Sequence, residues 1–181
     1  MMKNLPLEKA FLYVERGPIV LVTTFDGKKN NVMTISWTMV MDFNAQFALL
    51  TGAWNHSFAA MMKTKECVIA IPAADIAKKA IQIGTCSGSE IDKFKKFKLT
   101  LLKSKDIKAP LIKECYINIE CKITDYVKKY GIFILQGLSA YIDSNKKDRR
   151  LIHAIGDGTF VLDGTKLNYR KIMKEKLPTG V

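Results

Sequence analysis

Several signatures are missing from this chain, and each absence removes a class of function. No GxGxxG, P-loop, GxSxG or HExxH motif occurs, and no pair of carboxylates stands apart for acid–base work. Hydrolysis or phosphoryl transfer driven by side chains therefore has little support. A reaction whose hard chemistry sits on a bound organic cofactor, such as hydride transfer, needs no such inventory. There is no CxxC pair, and the two histidines, His56 and His153, lie far from any shared ligand motif, so no structural zinc site is expected. Apolar runs are broken by Thr, Lys, Gly or Asp well short of a membrane span, and no basic segment followed by an apolar core opens the sequence; a cytoplasmic location is the expectation. Neither an internal repeat nor a low-complexity tract is present.

What is present is the composition of a folded protein. The 181 residues are 48% apolar and 25% charged, enough to bury a sizeable core, and one domain over 1–181 is expected. The unusual quantity is a formal net charge of +12, from 29 Lys and Arg against 17 Asp and Glu. Lysines concentrate at Lys93, Lys95, Lys96, Lys98, Lys103, Lys105 and Lys108, and again in the KKDRR run from Lys146 to Arg150. Such charge suits nucleic acid, membrane headgroups, a phosphorylated cofactor or plain solvation, and alone does not choose among them. Cys115 and Cys121 share one parity of an alternating segment, so as strand residues they would lie on one apolar face about 20 Å apart. They read as reduced core thiols.

The periodicity is mostly that of strands. Ile19 to Phe25 is a β-branched run closed by Asp26-Gly27, and Val32 to Val40 follows as the second arm of a hairpin. In that second arm Asn31, Met33, Ile35, Trp37 and Met39 alternate with Val32, Thr34, Ser36 and Thr38, giving one face a band of hydroxyls. Phe47–Thr51 and Cys67–Ile71 read as further strands, as do the alternating segment Cys115–Thr124 and the run Ile132–Ile142, joined by a KKYG turn. A last hairpin is expected from Thr159–Leu162 and Thr165–Leu167 around Asp163-Gly164. Helices are expected over Ser57–Lys65, with Asn55 or Ser57 as N-cap, over Ala74–Ile83, ended by Gly84, and over Ile91–Phe97, opened by a capping box of Ser89 and Asp92. Six or seven strands without regular strand–helix alternation argue against a doubly wound sheet and for a closed or partly closed antiparallel barrel.

Two places suit an anionic ligand. Trp54-Asn55-His56-Ser57 opens a predicted helix, where free N–H groups and the helix dipole favour negative charge; simple capping beside an exposed histidine is the plain alternative. Gly84-Thr85-Cys86-Ser87-Gly88-Ser89 is a loop of small residues that lets a ligand approach the backbone, followed by Lys93. Trp37, Trp54 and Phe160 could wall a planar ring or simply fill a core.

The stretches RGPIVLVTTFD, NNVMTISW, LTGAWNHSF, TKECVIAIP, IGTCSGSEIDKF, LIKECYINIECKI and GDGTF follow one another in a characteristic order. In these the chain resembles the flavin reductase-like, FMN-binding split-barrel family, especially its flavoredoxin-like branch. The resemblance implies a mainly β fold, a six- or seven-stranded antiparallel split β-barrel with a few short helices, assembled as a homodimer with FMN near the subunit interface. By position it implies that Asn31, Met33, Thr34, Ile35, Ser36 and Trp37 line the ring and ribityl chain. Thr51, Trp54, Asn55, His56 and Ser57 surround the ribityl phosphate on the same basis. Cys86, Ser87 and Gly88 approach the ring through backbone, Lys93 supplies positive charge, and Phe160 packs at the ring's edge. Two positions depart from the family pattern: no arginine stands near the phosphate-binding helix, and Gly131-Ile132-Phe133 lacks a histidine found in many relatives.

The function this implies is an FMN-dependent oxidoreductase of flavin reductase or flavoredoxin type, taking electrons from NAD(P)H or from an acidic redox protein such as ferredoxin. A flavin-binding protein without turnover and a basic barrel that binds nucleic acid are the alternatives. The nucleic-acid reading lacks a row of surface aromatics along a strand, as a stacking platform requires. Neither a nucleic-acid nor a membrane partner is expected.

Overall fold

The computed structural model describes residues 1–178; the last three residues of the expected 1–181 domain lie outside the described residues. The chain opens with β1 (Met2–Leu5), a 3-10 turn and a single helical turn, α1 (Phe11–Val14). β2 (Val20–Phe25) and β3 (Asn30–Ile35) form the expected hairpin. Its turn is fixed by Asp26, whose Oδ1 accepts the N–H groups of Lys28 and Lys29 at 2.7 Å each, and by Gly27 at φ +100°, a conformation that glycine adopts freely. β4 (Thr38–Asp42) and β5 (Gln46–Leu50) make the next hairpin, and α2 (Ser57–Thr64) leads into β6 (Glu66–Ile71).

α3 (Ala77–Gly84) and α4 (Lys93–Lys96) are followed by two short strands, β7 (Leu101–Leu102) and β8 (Leu111–Ile112). The long antiparallel pair β9 (Ile117–Val127) and β10 (Ile132–Asp143) completes the main sheet, and β11 (Ile152–Ala154) pairs with β12 (Phe160–Leu162) outside it. In the main sheet the order is β3-β2-β6-β9-β10-β5-β4, every neighbour antiparallel, with β1 added on β10. β3 and β4 are consecutive in sequence but end up at opposite edges. The expected single strand Val32–Val40 is therefore broken at Ser36-Trp37, where the chain leaves the flank of β2 and joins β5. That break is the split in the barrel. β10 serves three partners by bending: its register shifts around Gly137, where an added Cβ would be crowded, at 3.0 Å from the Ala45 Cβ and 3.2 Å from the Leu7 side chain.

Both faces of this sheet are covered. Val20, Val22, Met33, Phe47, Leu49, Ile69, Ile119, Cys121 and Phe133 fill the barrel interior together with Met61 of α2. Outside, Leu21, Val32, Val68 and Ala70 meet Ala80 and Ile83 of α3, Phe94 of α4 and Ile107, Ala109 and Leu111 of the segment that follows. A strand buried on both faces reads as a continuous apolar run, which is why Ile19–Phe25 shows no alternation.

Several local expectations need correction. The last hairpin turns at Gly156-Asp157-Gly158 and pairs 152–154 with 160–162; Asp163-Gly164 is not its turn. Asp163 instead fastens the hairpin, accepting from Arg16 Nη1 at 2.6 Å, from the Leu151 N–H at 3.0 Å and pairing with His153 Nε2 at 2.9 Å. α4 is capped by Asp92 alone, whose carboxylate accepts the Lys95 N–H at 3.1 Å; Ser89 has no part in it. Gly84 is the last residue of α3, and its missing side chain makes room for Thr34, not for a left-handed cap. Cys115 precedes β9 and sits in the outer cluster, whereas Cys121 points into the barrel opposite Cys67 of β6. All four thiols are free, and burial pushes that of Cys67 up to about 12, which keeps it protonated and inert.

Candidate functional site

The mouth of the barrel brings three separate segments together. From β3, the Asn31 side chain donates through Nδ2 to Ser57 Oγ at 2.8 Å, and Thr24 Oγ1 of the neighbouring strand lies 3.4 Å from the same oxygen. Ser57 is the first residue of α2, so this contact seats the helix start on the β2–β3 end of the barrel. From the other side comes the loop after α3. A Cβ at Gly88 would lie 2.2 Å from Asn31 Oδ1, and one at Gly84 would lie 3.1 Å from Thr34 Cβ. Glycine lets this loop lie close on β3 without pushing Thr34 or the Asn31 amide aside. Thr34 Oγ1 donates to the Ala80 carbonyl at 2.6 Å, fixing α3 to the same strand.

The start of α2 carries no side-chain cap. His56 is the N-cap residue with helical backbone angles and an exposed imidazole, while Asn55 donates instead to Thr51 Oγ1 at 3.2 Å. Neither Asn55 nor Ser57 therefore caps the helix. The Phe58 N–H already donates to the Asn55 carbonyl at 3.0 Å, so with no side-chain cap the rest of the first turn of this eight-residue helix is what remains for an anion. Beside it the Trp54 indole lies over glycine: a Cβ at Gly52 would be 2.2 Å from the ring, and one at Gly131, at φ +67°, would be 3.7 Å from it. Trp54 is 73% exposed and Trp37 65%, two indoles turned to solvent instead of into the core.

The remaining expected residues differ in how they could touch a ligand. Met33 and Ile35 point into the barrel interior, which leaves only their backbone available; Ser36 is exposed at the break between β3 and β4. Cys86 and Ser87 are half-buried in the glycine loop, with Cys86 Sγ 3.5 Å from the Gln82 carbonyl and Ser87 Oγ 2.7 Å from Ser89 Oγ. Lys93 is buried, and its ammonium donates to the Ile83 carbonyl at 2.9 Å, at the C-terminal end of α3. Burial holds the Lys93 amine below its ordinary value, an effect opposed by Cys86 nearby. Phe160 stands apart: it pairs with Ala154 in the outer hairpin and is 37% exposed, and no hydrogen bond or ring contact joins it to the barrel mouth among the described residues. Thr24, Gly52 and Gly131 belong to this cluster but were not singled out from the sequence. The paired hydroxyls of Thr23-Thr24 and the glycine of KKYG were the available signals.

These glycine contacts, the uncapped helix start, two solvent-facing indoles and a buried ammonium fit a ligand with a flat ring and an anionic tail. The family model described as "Flavin reductase like domain" matches residues 15–159. The chain belongs to this family. An uncharacterized protein of Archaeoglobus fulgidus is 39% identical over 104 residues, which cover 56% of this chain and 58% of that protein. The uncharacterized protein YddH of Escherichia coli is 25% identical over 186 residues, covering 92% and 98%. Among solved structures, the FMN-binding domain of a flavin reductase-like enzyme from Shewanella baltica superposes with a TM-score of 0.86 at 21% identity, covering 93% of this chain and 97% of that one. Flavoredoxin of Desulfovibrio vulgaris superposes with a TM-score of 0.77 at 20% identity, covering 84% and 89%. No helix among the described residues is long and apolar enough to cross a membrane, and no cluster of three metal-ligating side chains occurs among them.

Proposed function

We propose that this chain is an FMN-binding oxidoreductase of flavin reductase or flavoredoxin type. The observation that carries the reading is the convergence of Asn31, Ser57 and Gly88 at one end of the barrel, beside an α2 start with no side-chain cap. The first-turn N–H groups of α2, with His56 and Ser57, would hold the phosphate, replacing the arginine that many relatives carry. Loop 84–88 and the backbone of β3 would lie along the ring, and Lys93 would supply positive charge from beneath the loop. FMN, when bound, supplies the capacity to accept and pass on a hydride or single electrons. The protein's part is to hold the ring, orient it and limit access of water.

The homodimer implied by the family resemblance finds support at β4. Trp37, Met39, Met41 and Phe43 are 65%, 55%, 45% and 50% exposed along and beside an edge strand whose outer side has no strand partner among the described residues. An exposed apolar edge of this kind is one that natural proteins cover. The electron source is either NAD(P)H or a redox protein. Stopped-flow reduction of the FMN-loaded protein separates them: rapid bleaching by NADH or NADPH supports a nicotinamide reductase, and bleaching only by a reduced ferredoxin supports a flavoredoxin-like relay. A protein that binds FMN but is reduced by neither would contradict the oxidoreductase reading.

A further inference from the structure

The segment after α4 covers the outer face of the sheet and is held by its backbone. Thr23 Oγ1 donates to the Pro110 carbonyl at 2.6 Å, Glu66 accepts the Lys108 N–H at 2.9 Å, and Glu120 accepts the N–H groups of Lys105 and Asp106 at 2.8 and 2.7 Å. Asn118 bonds both the N–H and the carbonyl of Ile112, at 2.8 and 3.0 Å. Carboxylates near this cover are thus turned inward onto its backbone, including Glu114 on the Thr100 N–H at 3.0 Å. What remains outward is basic. Between residues 93 and 113 the only acid is Asp106, which bonds Ser139 Oγ at 2.5 Å, while Lys98, Lys103, Lys105, Lys108 and Lys113 are exposed and form no ion pair among the described residues. The strip starts at α4, whose Lys93 is bonded to the end of α3 beside the glycine loop.

We propose that this lysine strip is the docking face for an acidic protein electron carrier, an inference that rests on the flavin reading above. A fixed backbone presents the charges at set positions, so an oppositely charged partner is steered to the side of the molecule that adjoins loop 84–88 at little ordering cost. Two reduced one-electron carriers, each giving one electron here, together with two protons from solvent, convert one bound oxidised FMN to its dihydro form; each carrier leaves oxidised.

The test uses the full-length FMN-loaded protein and a reduced acidic [2Fe–2S] ferredoxin as probe. The strip variant carries Lys103→Glu, Lys105→Glu and Lys108→Glu; the control carries Lys166→Glu, Lys171→Glu and Lys174→Glu, the same change of charge on the exposed C-terminal segment. Both sets are exposed, so thermal melting should match the unaltered protein. The expected result is a second-order reduction rate that falls about tenfold or more with added salt, and by a similar factor in the strip variant at low salt, with the control little changed. Equal rates in all three proteins, or no dependence on salt, would overturn the docking face while leaving FMN binding intact. Failure of all three to bind FMN would remove the flavin reading and this inference with it. Displacement of the carrier by a single-stranded oligonucleotide that the strip retains at physiological ionic strength would also overturn it, in favour of nucleic acid.

Discussion

The interior of the barrel and the layer over its outer face solve the same problem, burial of the sheet, by different chemistry. Inside, β9 presents Ile117, Ile119, Cys121 and Ile123 to other apolar groups, and nothing polar is required. Outside, the intervening Asn118 and Glu120 are fully buried as well, yet Glu120 faces the Lys105–Asp106 backbone, which lies outside any strand, and Asn118 faces Ile112 of the short β7–β8 pair. Their side chains bond backbone N–H and carbonyl groups of residues 105, 106 and 112 that the main sheet does not reach. The interior is held by dispersion and exclusion of water and tolerates exchange of like for like. The cover is held by its own apolar contacts with the sheet and, in addition, by a few directional bonds, each of which is costly to lose.

That contrast can be broken by substitution, and the largest effect belongs inside. Phe47→Ala leaves a hole among fully buried side chains, with an expected loss of about 3–5 kcal/mol in urea unfolding and faster amide exchange throughout the sheet. Glu120→Ala strands the Lys105 and Asp106 N–H groups; the expected loss is about 2–4 kcal/mol, and amide exchange should accelerate in residues 104–112 before it does in β9. Uniform acceleration in both variants would mean that cover and barrel are one cooperative unit. Thr34→Val, which removes the bond to the Ala80 carbonyl, should cost about 1 kcal/mol and loosen α3 in the same assay.

The smallest effect is a pH dependence at the outer hairpin. Burial alone would raise Asp163, but the Leu151 N–H, His153 and Arg16 outweigh it and hold the carboxyl below its ordinary value. A carboxyl lowered in the folded state stabilises the fold above its unfolded value of about 3.9. That stability drains away as pH falls below about 4. Acid unfolding of Asp163→Asn should therefore be shallower over that range than for the unaltered chain; superimposable curves would show that the fastening is not electrostatic.

The same contrast explains what the sequence made legible. The hairpins of β2–β3 and β9–β10 were readable because strand alternation and turn residues agree there. The break at Ser36-Trp37 was not: Ile35 through Met39 keeps perfect alternation, and only the competing partner β5 makes the chain change flank. β1 was missed because MKNL has little apolar pattern and is held by pairing with β10, a contact more than a hundred residues away in sequence. At the candidate site, the residues of NNVMTISW and WNHS are named by the family resemblance alone. The glycine approach of Gly88 to Asn31, the bond of Asn31 to Ser57 and the burial of Lys93 depend on how α3 settles on β3, which no local pattern encodes.

Titration of flavin-free protein with FMN, followed by quenching of flavin fluorescence, bears most directly on the barrel mouth as the cofactor site. The unaltered chain should saturate at one FMN per chain, and Gly88→Ala, whose new methyl group must displace the Asn31 amide, should bind at least about tenfold more weakly without a matching loss of thermal stability. No quenching by FMN, or identical affinity in the two proteins, would contradict that assignment.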